Sequence, residues 1–187
     1  MSRRLERLTP SSLSAAQRDL YDAIAGGPRA GGPFSMINED GGLEGPFNAM
    51  LLQPSVGTAL QALGSAIRYE STLGTRCREI AVLTVARVWD SAFERYAHEA
   101  VARSAGMTAA ELDALRTGDS PAVFDDPRER LVLRVVTALA ERNDLSDPEY
   151  AEAVDGLGLP VLFELTTLVG YYATLALQLR AFRVPPP

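Results

Sequence analysis

The sequence predicts an all-α fold, a single-domain bundle of about seven or eight helices. Apolar residues recur at helical spacing along most segments, as in Val56, Leu60, Leu63 and Ile67. Helix-starting patterns and glycine or proline stops separate these segments. No run alternates apolar and polar residues like a half-buried strand, and no hairpin turn joins two apolar runs.

Capping boxes mark two of the helix starts. In such a box, a serine or threonine and a glutamate or glutamine three residues later satisfy the first free backbone N–H groups. Ser14-Ala-Ala-Gln17 starts the first helix, which Gly26-Gly27 ends. Thr108-Ala-Ala-Glu111 starts a short helix that runs through Leu115.

The other helix starts follow from proline and from short polar residues. We predict a short helical turn at 47–52, a helix opened by Pro54, one capped by Thr75, one over 91–105 stopped by Gly106, one opened by Asp126-Pro, and one opened by Ser146-Asp-Pro and ended by Gly156. A long helix then runs from Pro160 to about Phe182, and three terminal prolines forbid its continuation.

This last helix is apolar nearly all round, which is typical of a helix that is buried on most of its faces. In a chain of 187 residues, the pattern predicts a subunit interface as well as an internal core, and therefore a homo-oligomer. Glu164 interrupts the pattern, and a buried carboxylate needs a partner. We predict an ion pair with an arginine such as Arg87 or Arg134; lining a pocket is the second interpretation.

Residues 26–46 are rich in glycine and proline and have little periodicity. Irregular segments of this length are uncommon inside compact domains, and many are lids, partner-binding arms or disordered chain. Because Phe34, Met36 and Ile37 need burial, we predict an ordered arm over the core or over a neighbouring subunit. We assign residues 1–45 to an N-terminal helix and this arm, and residues 46–187 to a helical domain.

Composition argues against several classes of partner. The net charge is −6, and all 18 basic residues are scattered arginines. Nucleic-acid binding needs clustered basic residues that neutralise phosphates, so we expect no nucleic-acid partner. The single cysteine cannot form an internal disulfide. We see no signal-peptide pattern and no run near the roughly 18 uncharged apolar residues of a membrane span, so we expect a cytoplasmic protein without a membrane partner.

The stretch 75–106 concentrates the residues that favour chemistry. It holds the only histidine, His98, and the only cysteine of the chain. Read as two helices, it places Ser91, Glu94 and His98 on one stripe of the second helix, at positions i, i+3 and i+7. Glu79 lies on the first helix, at a spacing that allows its carboxylate to approach the histidine.

This stretch, together with flanking segments, resembles the carboxymuconolactone decarboxylase family, which shares an all-helical fold with the alkylhydroperoxidase D proteins. The matching features are Gly-Pro-Phe-Asn at 45–48, Arg-Glu-Ile-Ala at 78–81, Ala-Gly at 105–106 before a capping box, and Phe-Glu-Leu…Val-Gly-Tyr-Tyr at 163–172. Family members often carry Glu-Tyr-Glu-Trp-x-x-His in the histidine helix. Here residues 92–98 keep the second glutamate and the histidine, but lack the first glutamate and the tryptophan. The resemblance covers roughly residues 45–183.

The resemblance implies a helical bundle of the alkylhydroperoxidase D-like type, assembled as a trimer or hexamer. It also implies a cofactor-independent carboxy-lyase that acts on a small acidic lactone or β-keto-type substrate. The hydroperoxidase branch carries a Cys-x-x-Cys pair where this chain has Ser91 and Glu94. A dithiol peroxidase needs one thiolate to attack the peroxide and a second thiol to resolve the product. Cys77 is the only thiol, so we predict that the protein is not a dithiol hydroperoxidase.

Three residues are the predicted catalytic group. His98 is a candidate proton donor or acceptor, because imidazole titrates near neutrality; the alternative is a histidine that simply packs between helices. Glu94 either sets the orientation and charge of His98 or completes a capping box with Ser91. Glu79 begins a helix, where the dipole favours a carboxylate, while its family counterpart faces the active-site histidine.

Four residues are predicted to bind the substrate: Arg78, Trp89, Ser91 and Tyr171. The alternatives are a solvated arginine and, for the aromatic residues, ordinary core packing. Cys77 reads as a small buried apolar residue. One histidine without a cysteine cluster does not provide the usual zinc ligands, so we expect no metal. The sequence has neither a phosphate-binding loop nor a dinucleotide glycine pattern, and we expect no cofactor.

The main hypothesis is therefore decarboxylation of a small acidic organic substrate by histidine–glutamate acid–base chemistry. The missing tryptophan and first glutamate leave a second hypothesis, a non-catalytic oligomeric protein that binds small molecules. A third is an isomerase or cyclase that uses the same pocket.

Overall fold

The computed structural model describes residues 3–28, 31, 35–119 and 121–187. Within these ranges the chain forms nine α-helices and no strand, which confirms the all-α prediction. The helices are α1 (Ala15–Ala25), α2 (Pro46–Met50), α3 (Pro54–Tyr69), α4 (Thr75–Val88), α5 (Ala92–Ser104), α6 (Ala109–Thr117), α7 (Pro127–Arg142), α8 (Asp147–Leu157) and α9 (Leu159–Ala181). The predicted number was too low, because the turn at 47–52 is a complete short helix with Pro46 in its first turn.

Helix α4 is the centre of the bundle. Residues 77–86 are all buried, and the helix contacts α5, α6, α7 and α9. The sequence of this segment explains the burial, since every residue from Ile80 to Val85 except Thr84 is Ile, Ala, Val or Leu. The helix is therefore apolar on all of its sides. Thr84 satisfies its own hydroxyl by donating to the carbonyl of Ile80 at 2.7 Å. Glu79 is consequently placed in the interior, with no exposed surface.

Helix α9 lies against α2, α3, α4, α7 and α8. By length and hydropathy it is long and apolar enough to cross a membrane, although Glu164 and Arg180 interrupt its uncharged run. Its Leu165, Leu168 and Leu175 are buried in the core, as expected for a helix that packs against several others. Its outer face exposes Phe163 (72% exposed) and Leu177 (53% exposed).

Glu164 of α9 binds the loop between α3 and α4, and not an arginine. Its carboxylate accepts hydrogen bonds from the Ser71 hydroxyl at 2.9 Å and from the Thr72 backbone N–H at 3.1 Å. The predicted partners are engaged elsewhere, since Arg87 pairs with Glu141 and Arg134 with Glu152. The second interpretation has support, because Glu164 also lines an apolar groove between α3 and α9.

The capping boxes at Ser14 and Thr108 form as predicted, and Ser146 makes a third with Glu149. Two other helix ends differ from the prediction. Gly74, at φ 75°, is the N-cap residue of α4, so Thr75 is the first helical residue and not the cap. Gly156 lies inside α8, which ends where Gly158 adopts φ 85°.

The described part of the N-terminal arm is ordered against the core. Residues 36–44 form a tight loop closed by an isolated antiparallel bridge between Ile37 and Leu43. Met36 and Leu43 are buried, whereas Ile37 is 37% exposed. The Tyr21 hydroxyl of α1 donates to the Gly41 carbonyl at 2.7 Å. Phe34, also predicted to need burial, lies outside the described residues.

Residues 3–8 are tied to both ends of the helical domain. The buried Asn48 side chain accepts from the Leu8 N–H at 2.9 Å and donates to the Glu6 carbonyl at 3.1 Å. The Arg4 N–H donates to the Phe182 carbonyl at the end of α9, at 3.1 Å. The N-terminal segment therefore packs on the domain as part of one hydrophobic core.

An ion-pair cluster fixes the start of α4 against α6 and α7. The Arg76 guanidinium donates to Glu111 at 2.5 Å and to Glu129 at 2.6 Å, and both carboxylates are buried. Burial alone raises the pKa of Glu111, but hydrogen bonds from Thr108 and Arg76 outweigh it and the pKa falls below its ordinary value. Ionised Glu111 thus stabilises the fold above an ordinary glutamate pKa, and the contribution disappears as pH falls through the lowered value.

We predict that Arg76→Gln destabilises the protein by about 1–3 kcal/mol at neutral pH, because it leaves two buried carboxylates without their cation. Urea unfolding measures the change, and the difference from wild type shrinks in acid as the carboxylates are protonated. Arg142→Gln is the control, since Arg142 and its partner Glu149 are both more than one third exposed and the variant should unfold at nearly the same urea concentration as wild type. Equal effects of the two substitutions would contradict the structural role of this cluster.

Candidate functional site

The turn between α4 and α5 brings the predicted catalytic group together. Asp90 adopts φ 47°, and the chain reverses so that α5 packs along α4. Glu79 projects from α4, while Glu94 and His98 project from α5 one turn apart. All three are buried, with exposed fractions of 0%, 3% and 7% respectively. The structure therefore assembles the predicted Glu79, Glu94 and His98 in one site.

His98 lies between the two carboxylates. Its Nδ1 is 2.6 Å from Oε2 of Glu79, a short hydrogen bond between buried groups. Its Nε2 is 3.4 Å from Oε2 of Glu94, a looser contact on the opposite side of the ring. The first contact fixes the orientation of the imidazole and places a proton on Nδ1. Nε2 is then the nitrogen that can exchange a proton with Glu94 or with a bound molecule.

Glu94 does not form the capping box that was the alternative interpretation. Ser91 is the N-cap residue of α5, but in the described chain its side chain makes no capping hydrogen bond. The Glu94 carboxylate turns instead towards His98. In the described residues, Oγ of Ser91 and Oε1 of Glu94 are buried without a hydrogen-bond partner. Buried polar atoms without partners are uncommon and many mark a place where a ligand or water binds.

The two carboxylates have pKa values shifted in opposite directions. Burial raises the pKa of Glu94; the positive charge of His98 lowers it in part, and the negative charge of Glu79 raises it further. Burial also acts to raise the pKa of Glu79, but the charge and hydrogen bond of His98, together with Arg78 and Arg68, outweigh it and the pKa is lowered. A pair of groups separated in this way is suited to divide the acid and base roles.

Arg78 extends the cluster beside Glu79. It is buried, and its Nε lies 3.4 Å from Oε1 of Glu79. That distance and geometry do not make a hydrogen bond, so both atoms lack a hydrogen-bond partner within the described part of the chain. The predicted position of Arg78 next to the catalytic group is therefore observed. Its free donor can bind the carboxylate of a substrate.

Tyr172 is the aromatic residue that contacts His98, with ring centroids 5.1 Å apart in an edge-to-face arrangement. Tyr171, which was predicted to bind the substrate, packs on Tyr172 with ring centroids 5.2 Å apart. The pKa of Tyr172 is raised by burial first, and then by the charges of Glu94 and Glu79. Both tyrosines follow Leu168 at helical spacing and both are buried, so the periodicity of α9 does not distinguish them.

Trp89 and Cys77 lie outside this cluster. Trp89 ends α4, is half-buried against the core, and accepts a hydrogen bond from Arg180 through its carbonyl at 3.0 Å. Cys77 is buried, as predicted, and burial raises the pKa of its thiol. Arg68 of α3 was not selected from the sequence, although its charge acts on both Glu79 and Tyr172. An isolated arginine in an amphipathic helix carries no local signal for this role.

Among the described residues, no group of three or more histidine, cysteine, aspartate or glutamate side chains is arranged to hold a metal ion. The chemistry that the arrangement supports is proton transfer. The lowered pKa of Glu79 favours its anion beside the imidazole, and the raised pKa of Glu94 lets that carboxyl group keep its proton to higher pH than an ordinary glutamate. The buried setting strengthens the interaction of both groups with any charge that develops on a bound molecule.

Residues 54–138 match the model of the carboxymuconolactone decarboxylase family. Among solved structures, the chain is similar to the crystal structure of an alkylhydroperoxidase AhpD core, an uncharacterized peroxidase-related protein from Ralstonia eutropha JMP134. The TM-score is 0.77, the sequence identity is 13%, and the match covers 99% of this chain and 92% of the other. At that identity the similarity concerns the fold alone. No curated protein matches the sequence.

Proposed function

Since residues 54–138 place this chain in the carboxymuconolactone decarboxylase family, on an alkylhydroperoxidase D-like fold, we propose that it is a cofactor-independent, decarboxylase-like enzyme. Its substrate is a small acidic lactone or β-keto-type acid. The observation that carries this proposal is the buried His98 between two carboxylates whose pKa values are shifted apart. Burial of charged groups lowers the stability of the fold. A buried cluster of this kind therefore favours a functional role over a purely structural one.

Substrate binding begins at the arginine. The free Nε–H of Arg78 holds an acidic group of the substrate, with the charge of Arg68 nearby. Ser91 Oγ and Glu94 Oε1, both without hydrogen-bond partners in the described chain, provide further polar contacts. These atoms orient the substrate so that its reacting carbon faces Nε2 of His98 and the Glu94 carboxyl group.

The reaction needs one bond to break and one to form. The carbon–carbon bond to the substrate carboxylate breaks, CO₂ leaves, and the electron pair enters the conjugated carbonyl to give an enolate. The buried ring of His98, held in place by Glu79, lies beside that enolate and helps to stabilise its negative charge. Protonated Glu94 gives its proton to the carbon, directly or through Nε2 of His98. A proton from water then restores Glu94.

The test is release of CO₂ from a panel of carboxylactones and β-keto acids. We expect wild type to act on at least one compound, and His98→Gln to reduce that rate about 10²–10⁴-fold, since the acid–base pair is broken. Glu99→Gln is the matched control, because Glu99 follows His98 on α5 but pairs with Arg103 and Arg116 away from the site. A His98→Gln variant as active as wild type would contradict the proposal.

The same experiment separates decarboxylation from the other functions. Isomerisation or cyclisation would convert the substrate without CO₂, and a binding protein would hold it without turnover. Dithiol peroxidase chemistry stays outside the proposal, because the sequence has one cysteine and that thiol lies buried in α4.

We also propose that the protein is a homo-oligomer, a trimer or hexamer. The support is the outer face of α9, where Leu159, Phe163 and Leu177 are all more than half exposed. A large apolar face of this kind is typical of a protein interface. Its exposed residues form a stripe along the helix together with uncharged threonine and glycine.

We predict that the Phe163→Glu variant has a lower mass in light scattering than the wild-type oligomer, because a charge in an apolar interface is unfavourable. Tyr150→Glu is the control, since Tyr150 is 49% exposed on α8 and lies off this face. A monomeric wild type, or a Phe163→Glu variant with unchanged mass, would contradict the interface.

A further inference from the structure

A polar cavity lies away from His98, between the N-terminal segment, the 35–44 loop and α5. Its volume is about 550 Å³, within the range of small-molecule sites. It is lined by Arg7, Ser35, Ile37, Asn38, Glu39, Asp40, Glu44, Tyr96 and Pro187. All but Tyr96 lie outside the segment that matches the family. The cavity is therefore built mostly by residues outside the family match.

Three of the lining residues carry buried polar atoms without a hydrogen-bond partner in the described chain: Nε of Arg7, Nδ2 of Asn38 and Oε2 of Glu44. Glu44 is 4% exposed. Its other oxygen accepts from Arg7, and the nearest further cation to Oε2 is Arg3, at 3.8 Å. Two donors and one acceptor are thus unsatisfied around one cavity. Unsatisfied polar atoms cost stability, and a ligand that pairs with them recovers it.

The charges of the lining define the ligand further. The lining holds one arginine, Arg7, and three carboxylates, those of Glu39, Asp40 and Glu44. A ligand with an ammonium group matches the acidic side, while an oxygen acceptor on the same molecule matches Arg7 and Asn38. Ile37 and the exposed ring of Tyr96 provide an apolar wall. An aromatic ring near an ammonium group adds to its binding.

We propose that this cavity binds a small zwitterion of the amino-acid class with an apolar side chain. The carboxylate lies towards Arg7 and Asn38, the ammonium group towards Glu44 and the acidic rim, and the side chain against Ile37 and Tyr96. This inference does not depend on the decarboxylase proposal, because it uses none of the residues at the His98 site.

The test compares binding of three matched compounds by calorimetry: leucine, isocaproate, which lacks the ammonium group, and isoamylamine, which lacks the carboxylate. We expect leucine to bind wild type, and each truncated compound to bind about tenfold more weakly or worse, since each loses a charged hydrogen bond. No binding of leucine, or equal binding of all three compounds, overturns the proposal.

Asn38→Asp is the informative variant. The Asn38 side-chain oxygen accepts from the Gly42 N–H at 2.7 Å, and aspartate preserves that bond while replacing the free donor with a negative charge. We expect leucine to bind this variant at least about tenfold more weakly, because the new charge repels its carboxylate. Unchanged binding overturns the assignment.

Two further variants locate the ligand. Glu152→Gln on α8 is a distant control and should bind leucine as wild type does. Glu94→Gln should also bind leucine unchanged. If Glu94→Gln abolishes binding, leucine occupies the site at His98, and the cavity proposal is wrong.

Discussion

Replacing Glu94 with glutamine is expected to lower turnover about 10²–10⁴-fold, because the variant has no proton to give to the substrate carbon. Glutamine keeps the size and polarity of the side chain, so the neighbours of Glu94 need not move. The loss should appear in kcat, since proton transfer belongs to the chemical step. A variant that retains wild-type kcat on a decarboxylated substrate would remove Glu94 from the mechanism.

The same substitution should stabilise the fold in alkaline solution. The pKa of Glu94 is raised by burial above its ordinary value of 4.5, so the unfolded chain loses this proton at lower pH than the folded protein. Wild-type stability therefore falls as pH rises above the ordinary value, and the fall ends once pH passes the raised value. Glutamine carries no such proton. Thermal unfolding measured across pH should give the two proteins similar melting temperatures in acid. At pH values above the raised pKa of Glu94, the Glu94→Gln variant should have the higher melting temperature.

Gly45→Ala is expected to destabilise the protein by about 2–5 kcal/mol, combining overpacking with backbone strain. A Cβ at this position would lie 2.2 Å from the ring of Phe93, and the residue has φ 61°. Phe93 is buried in α5 beside Glu94, so the clash also bears on the site. Chemical denaturation measures the loss of unfolding free energy.

Gly74→Ala separates the two contributions. Gly74 also has positive φ, 75°, but nothing lies within 4 Å of a Cβ built there, so its variant carries the strain without the clash. We expect a loss of about 1–3 kcal/mol at Gly74, smaller than at Gly45. Adding Phe93→Ala to Gly45→Ala should cost less than the sum of the two single variants, because the ring that clashes is gone. If the loss of unfolding free energy in the double variant equals the sum of the two single losses, the ring of Phe93 is not what excludes a side chain at Gly45.

The elements that could be predicted from the sequence are those set by local interactions. The capping boxes at Ser14 and Thr108 act over three residues, so their residue types alone define the helix starts. The approach of Glu79 to His98 was also predictable, since the two helices are joined by a short turn and the family resemblance assigns both roles. The all-α fold follows from the same local periodicity.

What could not be predicted depends on long-range packing. The carboxylate of Glu164 meets Ser71, 93 residues earlier in the chain, and no pattern near either residue encodes that contact. Ser91 and Glu94 have the residue types and spacing of a capping box, but the box does not form. The Glu94 carboxylate contacts His98 instead. The choice between Tyr171 and Tyr172 depended on which of two adjacent buried side chains faces α5, which only the packing of α9 decides.

The protonation state of Glu94 is the central claim, and carbon NMR of the glutamate carboxyl groups measures it directly. The resonance that disappears in Glu94→Gln should titrate above the ordinary glutamate pKa of 4.5, and the one that disappears in Glu79→Gln should titrate below it. That result would establish an acid and a base on opposite sides of His98. Two carboxyl groups that titrate together at the ordinary value would contradict the account, and the site would have no division of acid and base roles.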